Sequence, residues 1–395
     1  MDEISVDRLI EGCADEARDG GITIRTELEP LAGPGAPVKP AIYAGGVYQL
    51  DKRWWGEGDQ RRPVDAIVID NVPSQANRLE AALQRLRPEF GLPEIVLDLS
   101  GQEPLPPHVP RQLSSFRFPH RQADAYLRDA VLDGKDFLRS ETGQALFAAT
   151  ADRPLALFEW FPQSLLYGFW QSHLGKKGSQ AKLARSWVSE IIGYEPATSD
   201  GEQLGLKGDP LNLSVDEQVL LDPDDASGWQ LLEGSQQAGG GKAKKRLSEI
   251  GHGQIPVGGS LAAVSLAAVE QQATVSFAAL RRIWVDGSGT NAVARALLAS
   301  LGLAAHAAAF GRPFSLRSGC ELRPRKASWG WLGEGGDEEV QALGADDAAS
   351  LFRGVVERAE ASGLPVGSRW ASEPLVLTPK ANLAKAIRST YPSDE

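Results

Sequence analysis

Between Glu195 and Gly259 the chain loses every pattern that builds a core: Pro, Asp and Gly clusters lead into Gly239-Gly240-Gly241 and then a basic run. A stretch of this length without apolar periodicity reads as a long insertion with mobile parts. At about 150 residues per domain, 395 residues allow two or three domains or one large domain carrying insertions.

The periodic segments fall on either side. Ile22–Thr26 alternates, which predicts a strand over Gly20–Pro30, followed by a Pro/Gly-rich loop from Leu31 to Pro40. Ala41–Trp55, with Tyr43, Tyr48, Trp54 and Trp55, suits an irregular hairpin, and Asp65–Asp70 a short buried strand. Ser74 would cap a helix running to about Arg87, with Leu79, Leu83 and Leu86 on one face and Pro88 closing it. Ile95–Leu99 is a strand, Pro119–Phe137 a second amphipathic helix, and Pro154–Trp170 an apolar, aromatic segment. Leu183, Trp187 and Ile191, four apart, predict a helix over Lys182–Ile192. Further on, Ala273–Val285 reads as a strand, Asn291–Ala309 as a helix and Phe314–Trp331 as a strand or hairpin. Ala345–Ala361 and Lys380–Thr390 complete the helices. Strands and helices alternate irregularly, so the fold class expected is α+β rather than a doubly wound sheet.

The most apolar stretches, Leu297–Phe310 and Val257–Val269, fall short of the roughly 20 residues that span a bilayer. The acidic start Met1-Asp2-Glu3-Ile4 does not resemble a secretion signal, and two cysteines, Cys13 and Cys320, make neither a disulfide framework nor a zinc site. A soluble, reduced, cytoplasmic protein without metal or cofactor is expected, with no membrane partner.

Forty-one Lys and Arg against 52 Asp and Glu give a net charge of −11, which argues against nucleic acid until the charges are placed. Acids crowd Met1–Pro30 and the block from Glu334 to Asp347. Between them lie Lys176, Lys177, Lys182 and Arg185, then Lys242, Lys244, Lys245 and Arg246, then Arg312, Arg317, Arg323, Arg325 and Lys326. Local potential decides what a groove attracts, and each cluster alone can equally be a solvated face.

Catalytic constellations are missing. Gly239–Ala243 lacks the earlier glycine of a phosphate loop (Gln236 stands there) and its hydroxyl after the lysine, and Gly287-Ser288-Gly289 lacks a third glycine. The five histidines show no metal-ligand spacing, and no nucleophile elbow occurs. His120 and His173 remain conceivable general bases for RNA cleavage.

Binding signals are better developed. Ser74-Gln75-Ala76-Asn77-Arg78-Leu79-Glu80 places polar side chains and open backbone amides at a helix N-terminus, where a phosphate is favoured, although a plain N-cap uses the same residues. Phe169-Trp170-Gln171-Ser172-His173-Leu174-Gly175-Lys176-Lys177-Gly178 joins aromatics to lysines and glycines, as a single-strand binder does, with Phe169 and Trp170 themselves read first as core. Lys182, Arg185 and Ser189 would extend a basic track along the next helix, Lys242–Arg246 could order on RNA, and Arg281-Arg282 interrupts an apolar strand as if held at a groove.

Several of these blocks resemble a known family. Ser74–Glu80, Phe118-Pro119-His120-Arg121-Gln122-Ala123-Asp124-Ala125-Tyr126-Leu127-Arg128-Asp129, Leu132-Asp133-Gly134, Tyr167-Gly168-Phe169-Trp170 and Ser189-Glu190-Ile191-Ile192-Gly193-Tyr194 resemble the type I-G (formerly I-U) CRISPR backbone subunit, the Csb-one family of Cas-seven proteins. The likeness is dense from about Asn71 to Pro210 and thinner over Val275–Leu332. It implies a single domain over 1–395 with an RNA-recognition-motif-like (ferredoxin-like) palm drawn mainly from 20–35, 64–194 and 273–332. Insertions 36–63 and 195–260 would be fingers and thumb, either being a thumb candidate, and 333–395 a C-terminal helical extension.

The same resemblance implies a non-catalytic subunit of a type I effector complex (Cascade). It would line the spacer part of crRNA as a head-to-tail helical filament and present it for pairing with target DNA. Its partners would be the handle-binding or processing subunit, a large subunit and a recruited helicase–nuclease. The RNA-contact candidates are Ser74, Gln75, Asn77, Arg78, His120, Arg121, His173, Lys176, Lys177, Lys182, Arg185, Lys242, Lys244, Lys245, Arg246, Arg281 and Arg282, of which Asn77, Arg78, His120, Arg121, Lys182 and Arg185 fall in family-like blocks. The acidic N-terminal region, with Glu11, Asp15 and Glu16, would face a neighbour's basic surface. The alternative is a metal-independent RNA endonuclease using His120 or His173. A loop aspartate that cleaves target RNA, Asp70 or Asp209, is a third possibility.

Overall fold

The computed structural model describes residues 3–56, 58–103, 105–171, 181–197, 210–211, 213, 217–222, 228–232, 244–252, 261–370 and 373–390. Its centre is the Gly21–Pro30 strand, whose alternation buries Ile22, Ile24, Thr26 and Leu28 and exposes Arg25 and Glu27. Leu266–Ser276 pairs antiparallel on one side of it, with Ile24 opposite Ala273, and Cys320–Gly333 on the other, with Ile24 opposite Trp329. Trp187–Pro196 follows beyond Leu266–Ser276, then Arg62–Asp70 and the edge strand Leu50–Trp55. Phe314–Arg317 and Gly336–Val340 pair with Cys320–Gly333.

Helix Val72–Phe90 lies in the chain between the Gly21–Pro30 and Trp187–Pro196 strands, and helix Ser288–Phe310 between Leu266–Ser276 and Cys320–Gly333. Both bury apolar residues against the same sheet face, in one core with Ile22, Ile24, Trp187, Ala273, Val275, Trp329 and Trp331. The four strands run, edge to edge, in the order fourth, first, third, second, all antiparallel. That is the interleaved connectivity of a β-α-β-β-α-β core, and the chain is mixed α+β, as expected. Opposite the helices, Glu190, Gln272, Arg25 and Ser328 stand in register on the sheet's other face.

Ser288–Phe310 shows how the core is filled. The helix starts earlier than its most apolar part, and Gly289–Phe310 is long and apolar enough to cross a membrane by length and composition. Yet 89% of its most apolar 18-residue window is buried inside the fold, which is the mark of a core helix. Gly302 brings its backbone so close to Trp187 that an added Cβ would sit 2.6 Å from the indole.

Several sequence expectations are corrected. Lys182–Ile192 is not a helix: Lys182–Leu183 and Trp187–Pro196 are strands. Trp187, Ser189 and Ile191 are buried while Val188 is exposed, a period of two. A four-residue spacing fits both periods, and the β-branched and aromatic content favours the strand. Pro119–Phe137 is broken into a 3-10 turn, the short helix Ala125–Arg128 capped by Asp124, and strands Ala130–Leu132 and Lys135–Asp136. Asp133 and Gly134, both at positive φ, reverse the chain there.

Helix Val72–Phe90 is capped by Asn71, not Ser74, and runs past Pro88 to Gly91 in the left-handed conformation. The strand expected over Ala273–Val285 ends at Ser276, whose hydroxyl caps the turn Phe277–Leu280. The stretch 333–395 holds helices Ala345–Ala361 and Ala381–Thr390 but also two strands. Of these, Leu375–Pro379 lies at the middle of a second sheet, between Ile95–Asp98 and Ala130–Leu132. Most of the 195–260 insertion is outside the described residues, and the expectation of mobile parts falls there; its described pieces form a sheet of Gln218–Leu221, Trp229–Leu231 and Lys244–Arg246.

Candidate nucleic-acid interface

Two buried carboxylates decide which of the predicted binding residues are free to bind. Asp70 ends the Arg62–Asp70 strand and is fully buried. Ser74 Oγ donates to it at 2.8 Å, Gln75 Nε2 at 2.6 Å, Arg78 Nε at 2.9 Å and Arg317 Nη2 at 2.9 Å. Gln75 in turn accepts from Gln271 at 2.8 Å. Ser74, Gln75 and Arg78 thus anchor a carboxylate beneath the helix, with Arg78 and Arg317 supplying its countercharge. A buried charge left without such partners costs several kcal/mol, roughly 3–5. Asp70 itself is not accessible for cleavage, while Asp209 lies outside the described residues. Asn77 is exposed.

Glu80 is the second. It sits on the buried face of helix Val72–Phe90 and accepts from Nε and Nη2 of Arg121, at 2.8 Å each. Burial pushes the Glu80 carboxyl up and Arg121 pulls it back. Arg121 donates its remaining nitrogen to the Gly168 carbonyl at 2.9 Å and lies over the Tyr167 ring. Its φ of +54° is left-handed, a conformation costing about 1–2 kcal/mol outside glycine, held by these contacts. Gly168, at φ +76°, lets the Leu183 carbonyl approach where a Cβ would stand 2.7 Å away. Helix, Phe118–Asp124 turn and Phe169–Trp170/Lys182–Leu183 hairpin are thus locked together.

Above this lock opens a cleft of about 650 Å³ lined by His120, Arg121, Trp170, Lys182, Arg185 and Val188 among others. Trp170 is 56% exposed, which corrects its reading as core; Phe169 is buried. Lys182 Nζ lies 5.8 Å from the Trp170 ring centroid. Arg185 is exposed at the rim, and no ion pair to it occurs among the described residues. Burial lowers its pKa, the neighbouring Arg121 lowers it further, and Glu80 offsets part of this. Two cations beside an open indole face, with no carboxylate on the described walls, make a site for a stacked ring and an anion.

The other candidates scatter. Ser189 is buried. Arg281 is not in a strand: it donates to the carbonyls of Gly12, Ala14 and Asp19, while Arg282 is exposed. Lys244, Lys245 and Arg246 are exposed on their strand. In the third basic cluster, Arg323 and Arg325 pair with Glu29. His173, Lys176, Lys177 and Lys242 lie outside the described residues. Sequence reasoning missed Glu80 as the partner of Arg121, although a carboxylate beside Leu79 and Leu83 on an apolar helix stripe was the signal.

The β-α-β-β-α-β core thus carries a cationic, aromatic cleft just before its second strand. Residues 22–197, under half of the chain, match the model of a family described as CRISPR-associated protein GSU0053 (Cas_GSU0053). The chain is thus similar, over the part that carries the cleft, to a CRISPR-associated protein of the Cas7-like kind. Among curated proteins none matches it in sequence.

Proposed function

We propose that the chain is a non-catalytic, crRNA-binding backbone subunit of a type I-G CRISPR effector complex, acting in the cytoplasm. In this reading copies assemble head to tail along the spacer RNA, with the bases left open to target DNA. The handle-binding or processing subunit, the large subunit and the helicase–nuclease are its protein partners. The observation that carries the reading is the cleft in which Lys182 and Arg185, in no ion pair among the described residues, flank the exposed Trp170. Lysine and arginine would follow the phosphates there and the indole would support a base, while Arg121 and His120 form the floor and entrance.

The test is expression with a CRISPR array, followed by sizing of the particles and sequencing of the RNA they carry. Spacer-containing RNA in large regular particles is expected, and Lys182→Glu/Arg185→Glu should deplete it at least tenfold while leaving the fold intact. A double variant that retains all its RNA would overturn the assignment of the cleft. Specific cleavage of repeat RNA that disappears in His120→Ala would overturn the non-catalytic reading.

A further inference from the structure

The open face of the central sheet carries a second built feature, away from the Trp170 cleft and absent from the candidates drawn from sequence. Edge strand Leu50–Trp55 brings Trp55 onto Tyr194, with ring centroids 5.5 Å apart and planes only 14° from parallel. Hydrogen bonds fix both rings: the Trp55 indole nitrogen donates to Glu270 Oε1 at 2.9 Å, and Gln272 Nε2 donates to the Tyr194 hydroxyl at 3.0 Å. Burial pushes the Tyr194 phenol up to about 12, so it stays neutral through the physiological range. The stack walls a cleft of about 550 Å³ whose other lining residues include Arg25, Arg61 and the backbone of Gly56 and Gly58.

Charge marks the cleft further. Neighbouring arginines are spent: Arg53 on Asp51 and Glu190, Arg62 on Glu195. Arg25 and Arg61 are exposed and take part in none of the ion pairs among the described residues. Trp55 is backed by the buried Tyr194 and an apolar patch of Val64, Ala66, Val68 and Ile192, and two guanidinium groups in no ion pair among the described residues share the cleft with the Glu270 carboxylate. A ring and two such cations are what one base and its adjoining phosphates require.

We infer that the Trp55–Tyr194 cleft is a nucleobase subsite, taking one base of single-stranded RNA against the partly exposed Trp55 ring, which the buried Tyr194 backs, with Arg25 and Arg61 on the flanking phosphates. Stacking reads a ring and not a sequence, so the subsite tolerates any base, as a guide-holding surface requires. The inference rests on the reading that the chain holds RNA, and adds a contact on the palm distinct from the Trp170 cleft.

The experiment measures binding of the full chain to oligouridylate and oligoadenylate of equal length, by tryptophan quenching and by competition. Trp55→Leu should weaken both on the order of tenfold, Trp55→Phe should retain most of the affinity, and Arg25→Gln/Arg61→Gln should flatten the salt dependence. Ultraviolet cross-links should map to the peptide containing Trp55. If Trp55→Leu and the arginine pair bind as wild type while Lys182→Glu/Arg185→Glu does not, the subsite is wrong and the cleft reading stands. If neither set changes affinity, both fall. If Trp55→Leu fails to fold, the arginine pair and the cross-links decide alone, and wild-type affinity with no cross-link there overturns the subsite.

Discussion

Arginine is the residue on which this molecule turns, because some arginines build the fold and others are left over for ligand. Arg121 stood among the family-like RNA candidates, yet it is buried, bidentate to Glu80 and bound to the Gly168 carbonyl. Removing one member of such a pair strands the other, at about 3–5 kcal/mol. Glu80→Ala should therefore lower stability to chemical denaturation by about that amount while leaving the surface cations in place. Arg185→Ala should leave the midpoint within about 0.5 kcal/mol of wild type and act on RNA affinity instead. Measured denaturation midpoints for the two variants separate these roles, and equal midpoints would refute the division. Sequence marks both residues as basic or acidic but is silent on which arginine a buried carboxylate will claim. That pairing spans 41 positions of chain and is decided only when helix and turn meet.

At the scale of elements, legibility followed periodicity. Ala345–Ala361 was readable to the residue, and Asn291–Ala309 nearly so, because long runs of one period leave no competitor. Leu183, Trp187 and Ile191 misled because a spacing of four belongs to helix and strand alike; the bulge between Ile191 and Ile192 then blurs the alternation. The Ser288–Phe310 helix also carries a pH signature. His306 is buried among Trp187, Phe310 and Trp329, and its Nδ1 finds no partner in the described structure.

Burial lowers the His306 pKa to about 4, below the roughly 6.5 of the unfolded chain. The depressed value means that the unfolded state binds the extra proton first. Stability from this group is complete above pH 6.5 and is lost as pH falls toward 4, by about 3 kcal/mol at most. His306→Phe, which keeps a ring against Trp187, should be less acid-sensitive than wild type by that margin between pH 7 and 4. Parallel stability–pH curves for the two proteins would refute it.

For the whole molecule the proposed function raises the question of how a chain of net charge −11 would assemble along a polyanion. Each bound phosphate contributes about −0.7 to the log–log salt slope on a single strand. A protomer contacting about six phosphates would show a slope near −4, and Lys182→Ala/Arg185→Ala should remove about 1.4 of it. Self-assembly needs two unlike faces that join without closing, and the acidic N-terminal region is the candidate for one. The structure narrows that candidate. Asp15 is held by the fully buried Arg295 at 2.6 Å, together with the Cys13 carbonyl that Arg295 also caps, so it belongs to the fold. Glu11 and Glu16 are exposed. Charge reversal should accordingly split the acidic patch in two. Glu11→Lys/Glu16→Lys should shorten RNA-loaded particles in light scattering while the protomer stays folded, whereas Asp15→Lys should destabilise the protomer itself. Particles of unchanged length from the Glu11/Glu16 variant would remove this surface from the assembly and leave the contact to be sought elsewhere on the protomer.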